Sequence, residues 1–191
     1  MHSHFVAWIG TGLVLGACGT VAATPPPTDC YTPSVSSTLP GVRFDLSGNR
    51  CRYTLAEAAA GVQLVYRVVV DADVVGVQSS PATPASCAGP DPSGLVVEPS
   101  IGGGSQSYCM CDCGLGTGAP TTSTLSAGTY VAHFAWDGTN WTGPSDFGNP
   151  HGAAFPPGSY QFLVRVDGTA PAPGGTAPFT MTGSVQFDLT P

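Results

Sequence analysis

The stretch SYQFLVRVD, Ser159 to Asp167, alternates apolar and polar residues with a period of two. Tyr160, Phe162, Val164 and Val166 fall on one face of an extended chain, with Gln161, Arg165 and Asp167 on the other. Successive side chains of a strand point to opposite faces, so this is the pattern of a strand buried on one side. The same rhythm recurs along the chain. In VRFDL it places Val42, Phe44 and Leu46 together, and in VQLVYRVVVD it gathers Val62, Leu64, Tyr66, Val68 and Val70. TYVAHFAWD aligns Tyr130, Ala132, Phe134 and Trp136. FTMTGSVQFDL aligns Phe179, Met181, Val185, Phe187 and Leu189, with Gly183 read as a bulge. Gly-Asn, Asp-Gly and Pro-Pro-Gly supply turn signals between these runs. No long helical period is present; LAEAAAG, Leu55 to Gly61, suits one or two helical turns because alanine favours helix.

Strands with one polar face must bury the other against a second sheet. The fold class expected is therefore all-β, an antiparallel β-sandwich of immunoglobulin-like type with about seven strands. No internal repeat is apparent. Two regions interrupt the pattern. Residues 79–124 are rich in Ser, Pro, Gly and Cys, with one short strand expected at Gly94 to Glu98; the second is the loop from Thr139 to Ala154. Irregular stretches as long as the first are uncommon unless functional or cross-linked.

Composition narrows the function classes. The chain has 191 residues, enough for one domain plus terminal segments. It carries 12 acidic residues against five cations, all arginine, for a net charge of −7. A nucleic-acid partner is not expected, because phosphate neutralisation needs clustered cations. The absence of lysine excludes Schiff-base chemistry and Ser–Lys dyads.

Phe5 to Ala17, FVAWIGTGLVLGA, is uncharged and too short to span a bilayer as a helix, but fits the apolar region of a secretory signal. The preceding MHSH lacks the usual Lys or Arg. The run ends Leu15-Gly16-Ala17-Cys18, which resembles the lipobox of bacterial lipoproteins. That resemblance implies cleavage after Ala17, lipid attachment at Cys18, and an exported protein held at a membrane of the bacterial cell envelope by its acyl chains. Gly19, where enteric lipoproteins retained at the inner membrane carry aspartate, points to the outer membrane. GTVAATPPPTD then forms an extended spacer. The expected organisation is a signal peptide over 1–17, a lipidated cysteine with a Pro-rich tether over 18–29, and one sandwich domain over 30–191.

Six cysteines remain: Cys30, Cys51, Cys87, Cys109, Cys111 and Cys113. An even number in an exported chain implies a disulfide framework, although six cysteines allow fifteen pairings. Cysteines two apart on a strand rarely bridge comfortably. Cys109, Cys111 and Cys113 are therefore expected to reach Cys30, Cys51 and Cys87, stapling the long loop. The alternative is a copper or zinc site on Cys109, Cys111 and Cys113, although C-x-C is not the usual zinc spacing.

FAWDG, Phe134 to Gly138, followed by FPPGSYQFLVRVDG, Phe155 to Gly168, resembles the W-D-G and P-P-G-x-Y pattern of small bacterial Ig-like domains. Examples are the module of flagellar hook-capping proteins and the intracellular proteinase inhibitor of bacilli. The resemblance covers the last third of the chain and implies fold rather than activity. The Thr139–Ala154 loop is longer than that pattern allows, so neither hook-capping nor inhibition carries over.

No catalytic constellation assembles from the sequence, and no enzyme and no cofactor are expected. GGGSQS, Gly102 to Ser107, lacks the G-x-S-x-G elbow and reads as a flexible linker. His133 reads as a structural strand residue. His151 with Asp146 and Asn149, and Asp71 with Asp73, are weak cation candidates. Asn140-Trp141-Thr142 fits a glycosylation sequon without being informative in a bacterial setting. Trp141, Phe147 and Phe155 suit either a satellite core or a grip on a protein or glycan partner in the envelope, with the core favoured.

Overall fold

The computed structural model describes residues 31–80, 91–109, 122–141 and 150–191. Over these the chain is mostly β, with one short helix and two antiparallel sheets packed together. The strands are β1 (Ser34–Ser37), β2 (Val42–Asp45), β3 (Arg52–Thr54), β4 (Val62–Val70), β5 (Val74–Ser80), β6 (Glu98–Gly103), β7 (Gln106–Cys109), β8 (Thr122–Leu125), β9 (Gly128–Trp136), β10 (Gly158–Ala172) and β11 (Gly175–Thr190). The helix α1 (Leu55–Ala60) lies between β3 and β4.

The larger sheet is built on the β10–β11 hairpin, paired without a register shift from Gly158↔Leu189 to Ala172↔Gly175. The other edge of β10 is shared end to end: β6 lies along Gln161–Arg165 and β5 along Asp167–Thr169. The other edge of β11 is shared in the same way, by β1 along Met181–Ser184 and by β3, running parallel, along Asp188–Thr190. β7 and β8 extend the sheet beyond β6 and β5. The hairpin tip carries exposed Pro171, Pro173 and Pro178. Proline offers no N–H, which suits strand segments that should not recruit another chain.

The smaller sheet has the order β2–β4–β9. β2 covers β4 only from Arg67 to Val70. Further back along that edge, the Asn49 carboxamide takes the place of a strand. Val65 N–H donates to Asn49 Oδ1 at 2.8 Å, and Asn49 Nδ2 donates to Val65 O at 2.6 Å and to Leu46 O at 2.9 Å. Backbone groups are obligatory hydrogen-bonding partners, and here a side chain satisfies both groups of one residue.

The apolar faces of the two sheets meet in one core. Phe134 of β9 stacks on Phe162 of β10, with centroids 5.7 Å apart, and Trp136 contacts Phe187 at 5.7 Å. The buried faces are those the period of two predicts: Val62, Leu64, Tyr66, Val68 and Val70 on β4, and Tyr160, Phe162, Val164 and Val166 on β10. α1 starts from a capping box, in which Glu57 N–H donates to Thr54 Oγ1 at 3.1 Å and Thr54 N–H donates to Glu57 Oε2 at 2.8 Å.

Several expectations need correction. Gly183 is not a bulge: the β10–β11 register runs straight through it, opposite Val164. A Cβ there would lie 2.5 Å from Leu46 Cδ1 and 3.0 Å from Phe44 Cβ, so the glycine admits β2 and the residue after it into close contact between the sheets. A register shift occurs instead in β5, between Val75 and Val77. GGGSQS is not a flexible linker but the turn of the β6–β7 hairpin. Gly103 pairs with Gln106, and Gly104, at φ +60°, takes the first central position of a two-residue turn. The strand expected at Gly94–Glu98 lies later, at Glu98–Gly103, and the described residues carry eleven strands rather than about seven. The additional strands come largely from the region read as irregular, where pairing to β10 and β5 supplies the order that the local pattern does not.

Gly183→Ala should therefore destabilise the protein by ~1–3 kcal/mol through overpacking, read as a lower urea midpoint. Shortening Leu46 to Val in the same chain should recover part of the loss. Asn49→Ala should cost ~1 kcal/mol or more because it leaves part-buried backbone groups of Val65 and Leu46 without this partner. It should also speed hydrogen exchange at the Val65 amide, which an unrelated loss of stability would not single out.

Candidate functional site

At the end of β9 the chain turns sharply. Gly138, at φ +77°, packs so tightly on α1 that a Cβ would lie 2.9 Å from Ala58 Cβ. Trp136 Nε1 donates to Thr139 O at 3.1 Å, and Phe155 N–H donates to Gly138 O at 2.7 Å. This fixes Asp137 at the rim. Its Oδ1 accepts from Thr139 N–H at 3.1 Å and from the Thr139 hydroxyl at 2.6 Å. Its Oδ2 lies 2.6 Å from His151 Nδ1, which is also 3.1 Å from Thr139 Oγ1. Burial pushes the Asp137 carboxyl up, but the Thr139 hydrogen bonds and His151 outweigh it and hold the carboxyl below its ordinary value.

Aromatic rings close one side of this pair. Trp141 lies against His151 with centroids 4.1 Å apart, and Tyr108 of β7 contacts both, at 5.6 and 6.1 Å. Burial, and then the Asp137 charge, push the Tyr108 phenol up to about 12. Trp141 Nε1 is buried without a hydrogen-bond partner among the described residues. The backbone is tied to β7 by Trp141 N–H to Ser107 O at 3.0 Å and Cys109 N–H to Trp141 O at 3.2 Å. The Asn140 carboxamide accepts from Ser107 N–H at 3.0 Å and donates to Ala153 O at 2.9 Å, with a further bond to Gln106. The sequon asparagine is thus occupied in holding the loop.

The result is a carboxylate–imidazole pair with an aromatic wall. Among the described residues no hydroxyl or thiol is hydrogen-bonded to the Nε2 side of His151. Of the residues considered with His151, Asp146 and Asn149 lie outside the described residues, and the partners found are Asp137 and Thr139. Phe147 also lies outside them. Phe155 is buried in the main core, 4.9 Å from Trp136 and 4.8 Å from Tyr160, while Trp141 is half-buried against that core. His133 is exposed on β9. Asp71 accepts from Arg43 at 2.7 Å, and Asp73 accepts from Ala127 N–H at 2.7 Å. Each is therefore engaged separately, and no group of three metal-ligating side chains occurs among the described residues.

Cys51 is buried and Cys109 ends β7; each is disulfide-bonded, and no disulfide joins two described residues. A sulfur in a disulfide is not a thiolate ligand, which weighs against Cys109 in a metal site. Cys18, Cys30, Cys87, Cys111 and Cys113 lie outside the described residues, as do the signal segment and tether. Among the described residues no helix is long and apolar enough to cross a membrane.

Because its folded value is depressed, the Asp137 carboxylate contributes stability above its ordinary value of 3.8, and that contribution is lost as pH falls through the lower folded value. Thr139→Val should move the Asp137 titration, followed by carboxyl ¹³C NMR, up towards the ordinary value. An unmoved titration would remove the Thr139 hydroxyl as a cause. In comparisons with known proteins, the chain matches no family model, no curated protein and no solved structure.

Proposed function

We propose that this chain is an exported, lipid-anchored protein of the bacterial cell envelope, with an immunoglobulin-like domain in a structural or partner-binding role. The observation that carries this reading is Leu15-Gly16-Ala17-Cys18 closing the uncharged run from Phe5. Cys18 would hold the lipid, 19–29 would be the tether, and the outer membrane is favoured over the inner by Gly19. The disulfide-bonded Cys51 and Cys109 support an oxidising compartment. For the fold, Tyr160 supplies a second line of support. It is the third residue of β10, which begins at Gly158 after Pro156-Pro157, and its hydroxyl donates to Pro156 O at 2.8 Å, the arrangement of a tyrosine corner. Tyr130 repeats the device at the start of β9, donating to Ser126 O at 2.8 Å. Both agree with the resemblance to small bacterial Ig-like domains carried by Trp136-Asp137-Gly138 and Pro156–Tyr160. The domain would meet a protein or glycan of the envelope.

The test is expression with labelled palmitate, followed by detergent-phase partitioning. The wild-type chain should incorporate label and enter the detergent phase. Cys18→Ala should abolish labelling and shift the protein to the aqueous phase or leave it unprocessed. Unchanged partitioning and processing in that variant would refute the anchor.

A further inference from the structure

A pocket of about 380 Å³ opens where the chain passes from β3 through α1 into β4, lined by Gly48, Arg50, Tyr53, Glu57, Val62 and Gln63 among others. Its organising group is Arg50. The guanidinium sits 4.8 Å over the centroid of the Tyr53 ring, and its Nη1 donates to Glu57 Oε1 at 2.9 Å. Glu57 is itself held by the capping box: its other oxygen accepts from Thr54 N–H at 2.8 Å and from the Thr54 hydroxyl at 3.2 Å. The arginine is thus fixed by a stacked ring on one side and an anchored carboxylate on one edge, unlike a cation on a free stem.

The hydrogen-bonding balance of the pocket is one-sided. Both Glu57 oxygens already accept hydrogen bonds, one from Arg50 and the other from Thr54, so Glu57 serves the site as the arginine's counter-ion. Arg50 carries five N–H donors, and only its Nη1 is engaged in a side-chain hydrogen bond among the described residues. The Gln63 amide is exposed and makes none there. A second guanidinium lies next to one lining residue: Arg67 Nη2 is 3.5 Å from where a Gly48 Cβ would stand, and Arg67 pairs with Asp45 at 3.4 Å. Tyr53 and Val62, each only 5% exposed, give the pocket an apolar floor.

We propose that this pocket binds a small organic carboxylate, which Arg50 grips through its unspent N–H edge while the apolar floor takes the carbon frame. Planar two-point pairing suits guanidinium and carboxylate. A neutral polyol would leave the guanidinium edge without a charged partner, and a compact dianion would meet the Glu57 charge without using the floor. The Arg50 hydrogen bond holds the Glu57 carboxyl down at about 2, so the Arg50–Glu57 pair persists through mildly acidic pH. The proposal does not depend on the lipid anchor.

The experiment is an amide NMR titration of the full chain with glucuronate and benzoate, with glucose and inorganic phosphate as controls. At least one carboxylate should shift the Gly48, Arg50 and Gln63 signals saturably, and glucose should not. Arg50→Gln should weaken that binding by about tenfold or more. Ala60→Trp places bulk at the pocket wall while leaving both members of the ion pair in the chain, and should block binding while the rest of the spectrum is preserved. If Arg50→Gln does not fold, the Ala60 variant decides. No response to either carboxylate, an equal response to glucose, saturation by phosphate at the same or lower concentration, or undiminished binding in a folded variant would each overturn the proposal.

Discussion

The pairing of β10 with β11 is the interaction on which the larger sheet depends. β1, β3, β5 and β6 each lie along part of this hairpin, and each makes only three to five residue pairs with it. Ordering a residue costs ~1–2 kcal/mol of backbone entropy, so segments this short need a preformed edge. The hairpin supplies two such edges, and each is divided between two visitors. Its inner face also sets the distance to the second sheet. At Gly183 the missing side chain lets Phe44 and Leu46 approach, and elsewhere along the same face Phe162 and Phe187 fill the gap with rings.

Charge contributes little to this construction. Arg43, Arg50, Arg67 and Arg165 each face a carboxylate, but the pairs are largely exposed, and such pairs add little stability. Carboxamides and short carboxylates do more by satisfying backbone groups. Asn49 completes the edge of β4, Asn140 ties the Trp141 segment to β7, and Asp137 caps the turn that follows β9. Tyr66 adds a link between sheet and loop by donating to Asp91 at 2.7 Å, and Asp91 also receives Ser93 N–H at 2.8 Å.

The parts of this fold legible in the sequence are those where one face is buried and the other wet. Val62–Val70 declares itself, because alternation is the direct imprint of that environment, and the Ala-rich turn at Leu55 is equally plain. β1, Ser-Val-Ser-Ser, and β8, Thr-Ser-Thr-Leu, carry no comparable alternation and are strands because a neighbour offers an edge. The β6–β7 hairpin is hidden for a similar reason: its glycines read as looseness, while Ile101 and Tyr108 are buried against partners that come much later in the chain. A glycine inside a strand is ambiguous by itself. Whether Gly183 marks a bulge or a close approach depends on Leu46, which local sequence does not place. At the rim, His151 could be singled out, but its pairing with Asp137 depends on the turn at Gly138 and the seating of the Trp141 segment. The pocket beside α1 is less visible still, because it joins a loop, a strand and a helix face.

That β10 and β11 come after the other described strands has a consequence for assembly. β10 and β11 follow every other strand in order of synthesis, yet β1 and β3 have no place in their sheet without β11. Thr38 and Thr180, 142 residues apart, are joined by reciprocal hydrogen bonds. Contacts of such long range make for slow folding. A chain emerging from its N-terminus can close the short β2–β4–β9 sheet early, but its larger sheet has no template until the last strands are free. Until then β1 and β3 have no strand to pair with, and the core between the two sheets stays open on one side.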